Sequence, residues 1–137
     1  MTGRPKLAAL AVVVRDGRVL LVKRRNQPEA GSWGFPGGHV DFGETTMQAA
    51  VRELREETSV LGRPVCHLTN VEMIDRDHEG FIRFHFLLAA VKCDYLSGKP
   101  IAQDDVSAAR WWVVSDVING KVECSKHVDL VTSIASG

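Results

Sequence analysis

Most of what this sequence lacks narrows its function. It has no excess of either charge, with 17 Lys+Arg against 17 Asp+Glu and a formal net charge of zero. A partner that is itself a polyanion calls for a basic excess, so nucleic acid and anionic membrane are not expected partners. Long apolar runs are missing as well. The longest, Leu7 to Val14, falls far short of the ~20 residues needed to span a bilayer. The charged residues Asp16, Arg18, Lys23, Arg24 and Arg25 follow it at once, which suits a first strand better than a signal peptide. The cysteines, Cys66, Cys93 and Cys124, are odd in number and have none of the short spacings of a zinc or redox motif. They are expected to be free thiols in a reducing, cytoplasmic setting. Repeats, low-complexity tracts and Pro/Ser-rich linkers are missing too, so residues 1–137 are taken as one domain.

The composition, 45% hydrophobic and 25% charged, is that of an ordinary globular domain with a continuous core. LAALAVVV (Leu7–Val14) and RVLLVKR (Arg18–Arg24) are β-rich runs around Asp16-Gly17, a strong hairpin signal. A glycine- and proline-punctuated loop, Asn26 to Gly38, follows, with Pro28 and Pro36 in it. Thr45 with Gln48 forms a capping-box pattern, and Met47, Ala50, Val51 and Leu54 make one apolar helical stripe. The spacing predicts a helix from near Thr45 to around Ser59–Gly62, stopped by Gly62 and Pro64. Val65–Ile74 and Phe81–Cys93 are expected strands, Tyr95–Ala109 a loop and Arg110–Val114 a short strand. Ser115–Asn119 reads as a capped helical turn and Ser125–Ile134 as a terminal helix. Strands and hairpins around a central helix argue for an α/β (α+β) layered domain.

The unusual feature is the run GGHVDFGETTMQAAVRELREETSV, which gathers Glu53, Glu56 and Glu57 near the end of the expected helix. Like charges at i, i+3 and i+4 repel, and a helix C-terminus disfavours anions further. A helix considered alone would make this a solvated charged face, eased by an Arg52–Glu56 pair. Next to the loop Trp33-Gly34-Phe35-Pro36-Gly37-Gly38, the same carboxylates suit a hard divalent cation that shares its oxygens with phosphate.

At this point the sequence resembles the Nudix box, G-x5-E-x7-R-E-U-x-E-E-x-G-U, where U is a bulky aliphatic residue. Gly38, Glu44, Arg52, Glu53, Leu54, Glu56, Glu57 and Val60 stand at the matching positions, and Ser59 replaces the second glycine. The resemblance implies an α/β/α sandwich with a mixed central β-sheet. It also implies hydrolysis of the diphosphate bond in a nucleoside diphosphate linked to another moiety, with Mg²⁺ or Mn²⁺. By the same resemblance Glu53, Glu56, Glu57 and the Gly37 carbonyl would hold metal. Arg52 would orient a box glutamate, and Glu44 would shape the loop or reach metal through water.

A general base would come from a box glutamate or from a downstream acid, with Asp105 the choice among the latter. Arg24 and Arg25, at the end of the second strand, are candidates for phosphate binding. At least one of them points outward, since strand neighbours alternate. Trp33 and Phe35 are candidates for stacking on a base or for the core. His39, His78 and His85 receive no role. The sequence looks like small bacterial ADP-ribose pyrophosphatase-like members, so ADP-ribose or a similar nucleotide sugar is the first expectation. Arg76 stands where ADP-ribose-specific members often carry proline, which leaves (d)NTPs open. A homodimer is implied by the family alone.

Overall fold

The computed structural model describes residues 3–27 and 29–137; Pro28 of the glycine-proline loop lies outside them. The first apolar run divides at Val13 into β1 (Lys6–Val12) and β2 (Val14–Arg15), followed by β3 (Arg18–Arg24). Both edges of β1 are occupied, by a parallel β7 (Ile82–Ser97) and by a short β5 (Gly37–His39). The hairpin across Asp16–Gly17 therefore hands the chain to a second sheet rather than pairing β1 with β3. The first sheet runs β5-β1-β7-β6, with β6 (Leu61–Arg76) antiparallel to β7 at its edge. In the second sheet β3 pairs with β8 (Val106–Val113), with β2, and with β4 (Trp33–Gly34).

Helix α1 (Thr46–Thr58) packs against the first sheet. Alternation along β1 divides the interior into two cores. Ala9, Ala11 and Val13 join Ala49, Ala50 and Leu54 of α1, with Leu20 and Val91. Val12 on the other face joins Val19, Leu21 and Phe35, together with Val117 of α2 (Val114–Ile118) and Val128, Val131 and Ala135 of α3 (Val128–Ser136). Helices thus lie on both faces of a mixed sheet, as expected. Leu54 is fully buried, and its truncation to alanine would cost about 2–5 kcal/mol. No helix among the described residues is long and apolar enough to cross a membrane.

The capping box forms as expected: Gln48 N donates to Thr45 Oγ1 at 3.0 Å and Thr45 N to Gln48 Oε1 at 2.9 Å. The helix ends within the expected Ser59–Gly62 window, but Gly62 and Pro64 are not what stops it. Ser59 ends α1 in the left-handed region, φ 65°, with its N–H on the Arg55 carbonyl. Gly62 and Pro64 lie instead inside β6, where proline is tolerated because β6 is an edge strand with an irregular register at Pro64/Cys66. The segment read as the loop Tyr95–Ala109 is partly strand at both ends. Tyr95 in β7 meets Trp111 of β8 edge-on at 5.8 Å, and β8 is carried by pairing along the whole of β3. The terminal helix starts at Val128 rather than Ser125, since the preceding segment is bridged to β4 by Trp33 N to Glu123 O and Ser125 N to Trp33 O, both 2.9 Å. Helix α2 begins at Val114 without the expected side-chain cap.

Candidate active site

The site forms where β5 passes under the last turns of α1. A Cβ on Gly37 would run into the Ala9 carbonyl, and one on Gly38 into the Glu53 carboxylate. Only bare backbone fits between β1 and the helix. The close approach lets Gly37 N donate to Glu57 Oε1 at 3.0 Å.

Arg52 organises the other carboxylates. Its Nε donates to Glu44 Oε2 at 2.7 Å and Nη2 to Glu44 Oε1 at 2.9 Å, a two-point clasp. Nη1 reaches Glu53 Oε1 at 2.6 Å and Glu56 Oε1 at 2.8 Å, and Nη2 also donates to the His39 carbonyl at 2.9 Å. The guanidinium holds the Glu44 carboxyl down to about 2, helped by the Asp41 N–H. Glu44 thus shapes the loop through Arg52, and the arginine is itself held firmly protonated by these carboxylates.

One guanidinium does not serve all the anions. Glu57 is 9% exposed, and burial pushes its carboxyl up to about 8. The Gly37 N–H and the Arg24 charge oppose that shift, whereas Glu53 and Asp105 reinforce it. Burial also raises Glu53, against the pull of Arg52 and with Glu56 and Asp104 adding to the rise.

The two aspartates are brought close by a loop that docks on the end of α1. Ile101 N donates to the Thr58 carbonyl at 2.9 Å and Gln103 N to the Glu57 carbonyl at 3.0 Å. Those bonds satisfy helix-end carbonyls that would otherwise lack partners.

A cleft of about 830 Å³ opens from this cluster. Gly37, Glu53, Glu57, Arg52, Arg24, Arg25, Phe35 and Asp105 all line it, so most of the residues singled out from sequence converge on one space. Arg24 acts on Glu57 through its charge, whereas Arg25 is exposed and donates Nη2 to the Val106 carbonyl at 3.3 Å. Phe35, only 6% exposed, is chiefly a core residue beneath the cleft. Trp33 does not line the cleft but packs edge-on against Trp112 at 5.1 Å. Glu56 faces a shallower depression shared with Arg55, Gln103 and Asp104. Sequence reading missed the cleft residues Phe84, Phe86, Lys126 and His127. The alternation in RFHFLL was a signal for the two phenylalanines. Nothing local marked Lys126 and His127, which the fold brings in from the approach to α3.

Among the described residues no three acidic, histidine or cysteine side chains are gathered into a ready-made metal site, but the donor chemistry is that which a hard divalent cation takes. The site offers carboxylate oxygens, one of them buried and short of countercharge, beside a cleft that also carries arginines.

Comparison with known proteins shows the family and the fold. The chain is 32% identical over 113 residues to an ADP-ribose pyrophosphatase of Methanocaldococcus jannaschii, covering 82% of this chain and 64% of that protein. It therefore spans less than two thirds of that relative's length. The fold superposes on the crystal structure of a MutT NUDIX hydrolase from Burkholderia pseudomallei with a TM-score of 0.82 at 29% identity, covering 96% of this chain and 98% of that one. The NUDIX domain of Shewanella oneidensis NrtR, crystallised with ADP ribose, superposes with a TM-score of 0.77 at 27% identity, covering 98% and 88%. A profile of the NUDIX domain matches residues 4–129. With that match, the Arg52-bound glutamates and the glycine loop beneath them, the chain belongs to the NUDIX family.

Proposed function

We propose that this protein hydrolyses the diphosphate bond of a nucleoside diphosphate linked to a second moiety, with ADP-ribose or a similar nucleotide sugar as substrate. The observation that carries the reading is the buried Glu57 carboxylate, set beside Glu53 at the head of the cleft and held there by Gly37. Nudix hydrolases generally use divalent metal ions, and Mg²⁺ or Mn²⁺ would be held here by Glu53, Glu57 and the Gly37 carbonyl at the cleft, with Glu56 turning in from the neighbouring depression to join them. When bound, the metal neutralises diphosphate charge and makes a water molecule more acidic.

The protein's own residues do the positioning, which is most of what phosphoryl chemistry demands. Arg52 acts as a positioning residue, fixing Glu53 and Glu56 relative to the loop. Arg24, half-buried and close enough to influence Glu57, is placed to meet a phosphate oxygen. Arg25 braces the start of β8 and contributes charge at the cleft wall. Asp105, facing Glu57 from the docked loop, is the proposed general base that takes the proton of the attacking water.

Arg76, standing where ADP-ribose-specific members often carry proline, keeps open a second reading, (d)NTP pyrophosphohydrolysis in the same site. Incubation with Mg²⁺ or Mn²⁺ and a panel of ADP-ribose, nucleotide sugars, dinucleoside polyphosphates and (d)NTPs, with products identified by mass, separates the two. AMP with ribose 5-phosphate supports the first reading. Nucleoside monophosphate with pyrophosphate supports the second. No diphosphate cleavage in the whole panel refutes both.

A further inference from the structure

The part of the cleft remote from the glutamates is built from one face of the first sheet, and strand register defines its floor. Leu10 is level with Gly37; two residues along, Ala8 is level with Leu88 and His39; two further, Lys6 is level with Phe86. Phe84 lies beyond, opposite Asp75. Phe84 and Phe86 line the cleft half-buried, and neither joins either hydrophobic core. Their rings are nearly parallel, 16° between planes with centroids 6.3 Å apart, and the His39 ring sits 5.6 Å from that of Phe86. Asp75 is engaged by Arg83, Nε at 2.8 Å and Nη2 at 2.6 Å, so the carboxylate opposite Phe84 is paired.

We propose that Phe86, flanked by Phe84 and His39, is the stacking surface for the base of the substrate. The inference rests on the diphosphate reading of the glutamate end and adds which part of the substrate the other end takes. From the Leu10–Gly37 level to the Lys6–Phe86 level is four residues, ~13 Å along the strands, a span that an extended diphosphate, ribose and base together cover. The platform is continuous with the catalytic end within a single cleft. Aromatic rings recognise a base by its face. The main chain beneath adds little edge reading, because β7 spends its backbone groups on β1 and β6. Affinity therefore follows stacking area, purine above pyrimidine.

Two measurements test this. In metal-free protein, titration with adenosine, which has no phosphate, is expected to move the ring-proton NMR signals of Phe86 and His39 upfield. This readout needs no turnover, so it stands even if no hydrolysis is found. In the active enzyme, Phe86→Ala is expected to raise KM for a base-bearing diphosphate roughly 5–150-fold, the span of a lost base–aromatic stack, with kcat within about 3-fold. Phe86→Trp restores KM, and Phe86→Leu, which keeps the bulk but not the ring, does not. A sugar diphosphate without a base is unaffected by all three substitutions. The proposal is overturned if saturating adenosine shifts neither ring, or if Phe86→Leu matches wild type. It also falls if the base-free diphosphate loses as much as the nucleotide. A Phe86→Ala variant that breaks up a dimer while adenosine shifts are absent would assign the face to a second copy of the chain instead.

Discussion

Glu57→Gln in the absence of metal isolates the energetic cost of the site. The Glu57 carboxyl lies at about 8 in the folded protein, against an ordinary value of 4.5. A carboxyl raised on folding keeps its proton where the unfolded chain has released it. Its contribution is therefore fully present below pH 4.5 and is lost as pH rises through about 8. At ~1.4 kcal/mol per pKa unit the whole window amounts to ~5 kcal/mol. Glutamine does not titrate and its amide oxygen still accepts from Gly37 N. The assay is urea unfolding in EDTA, followed by tryptophan fluorescence, at pH values from 5 to 9. Groups that do not interact with Glu57 cancel in the difference between variant and wild type, which leaves Glu57 and the charges coupled to it, Glu53, Asp105 and Arg24. The variant's advantage should be under about 1 kcal/mol at pH 5 and grow to ~3–5 kcal/mol by pH 8. Adding Mn²⁺ should reverse the order, because only the wild type keeps the full carboxylate set. A gap that stays constant from pH 5 to 8 would refute the burial argument for this residue.

Three further substitutions test separate links. Ser59→Gly removes the Cβ from a residue at φ 65°; thermal denaturation should show a gain of about 0.5–1 kcal/mol, because relief of left-handed strain exceeds the added chain entropy of glycine, with kcat unchanged. Arg52→Lys keeps a positive charge but cannot clasp Glu44 at two points while holding Glu53 and Glu56; it should lose roughly 1–3 kcal/mol in urea unfolding and at least tenfold in turnover. Asp105→Asn should lower kcat by about 10²–10⁴ if Asp105 takes the proton, with an unchanged melting temperature. A loss below tenfold would move the base to a box glutamate.

How far the sequence could be read depended on how local the determining physics was. The helix start was legible because the Thr45–Gln48 box is complete within four residues. The glutamates, Arg52 and Gly38 were legible because they fall in one fixed-spacing pattern. The helix stop was misread for a physical reason: serine in the left-handed region carries no signature of its own, so Gly62 and Pro64 were given its role. β8 was underestimated because its first residues are held by pairing to β3, more than 80 positions away for Arg24 with Val106. The same limit explains Trp33. Its neighbours in sequence suggest a ligand loop, but its isolated bridge to Cys124 and its edge contact with Trp112 draw it into the interior. Phe84 and Phe86 were visible only as alternation, which does not say which face meets the cleft until the register with β1 is known.

The crowding of like charge near a helix end now has a structural account in two parts. The end carbonyls that would repel anions, those of Glu57 and Thr58, are occupied by the Gln103 and Ile101 N–H groups, so the local field is weaker than that of a free helix end. The remaining repulsion is divided unevenly. Glu53 and Glu56 share Arg52, and Glu57 is left with one backbone N–H and the more distant Arg24 charge. Without metal the cheapest state is a protonated Glu57, so a divalent cation must displace that proton to use the carboxylate. Metal affinity and proton release are thereby coupled, and calorimetry in buffers of different ionisation enthalpy should register close to one proton released per site at pH 7, falling toward zero above about pH 9. If no proton were released at pH 7, Glu57 would be ionised before metal arrives, and the organisation of the site around a single shared arginine would have to be abandoned.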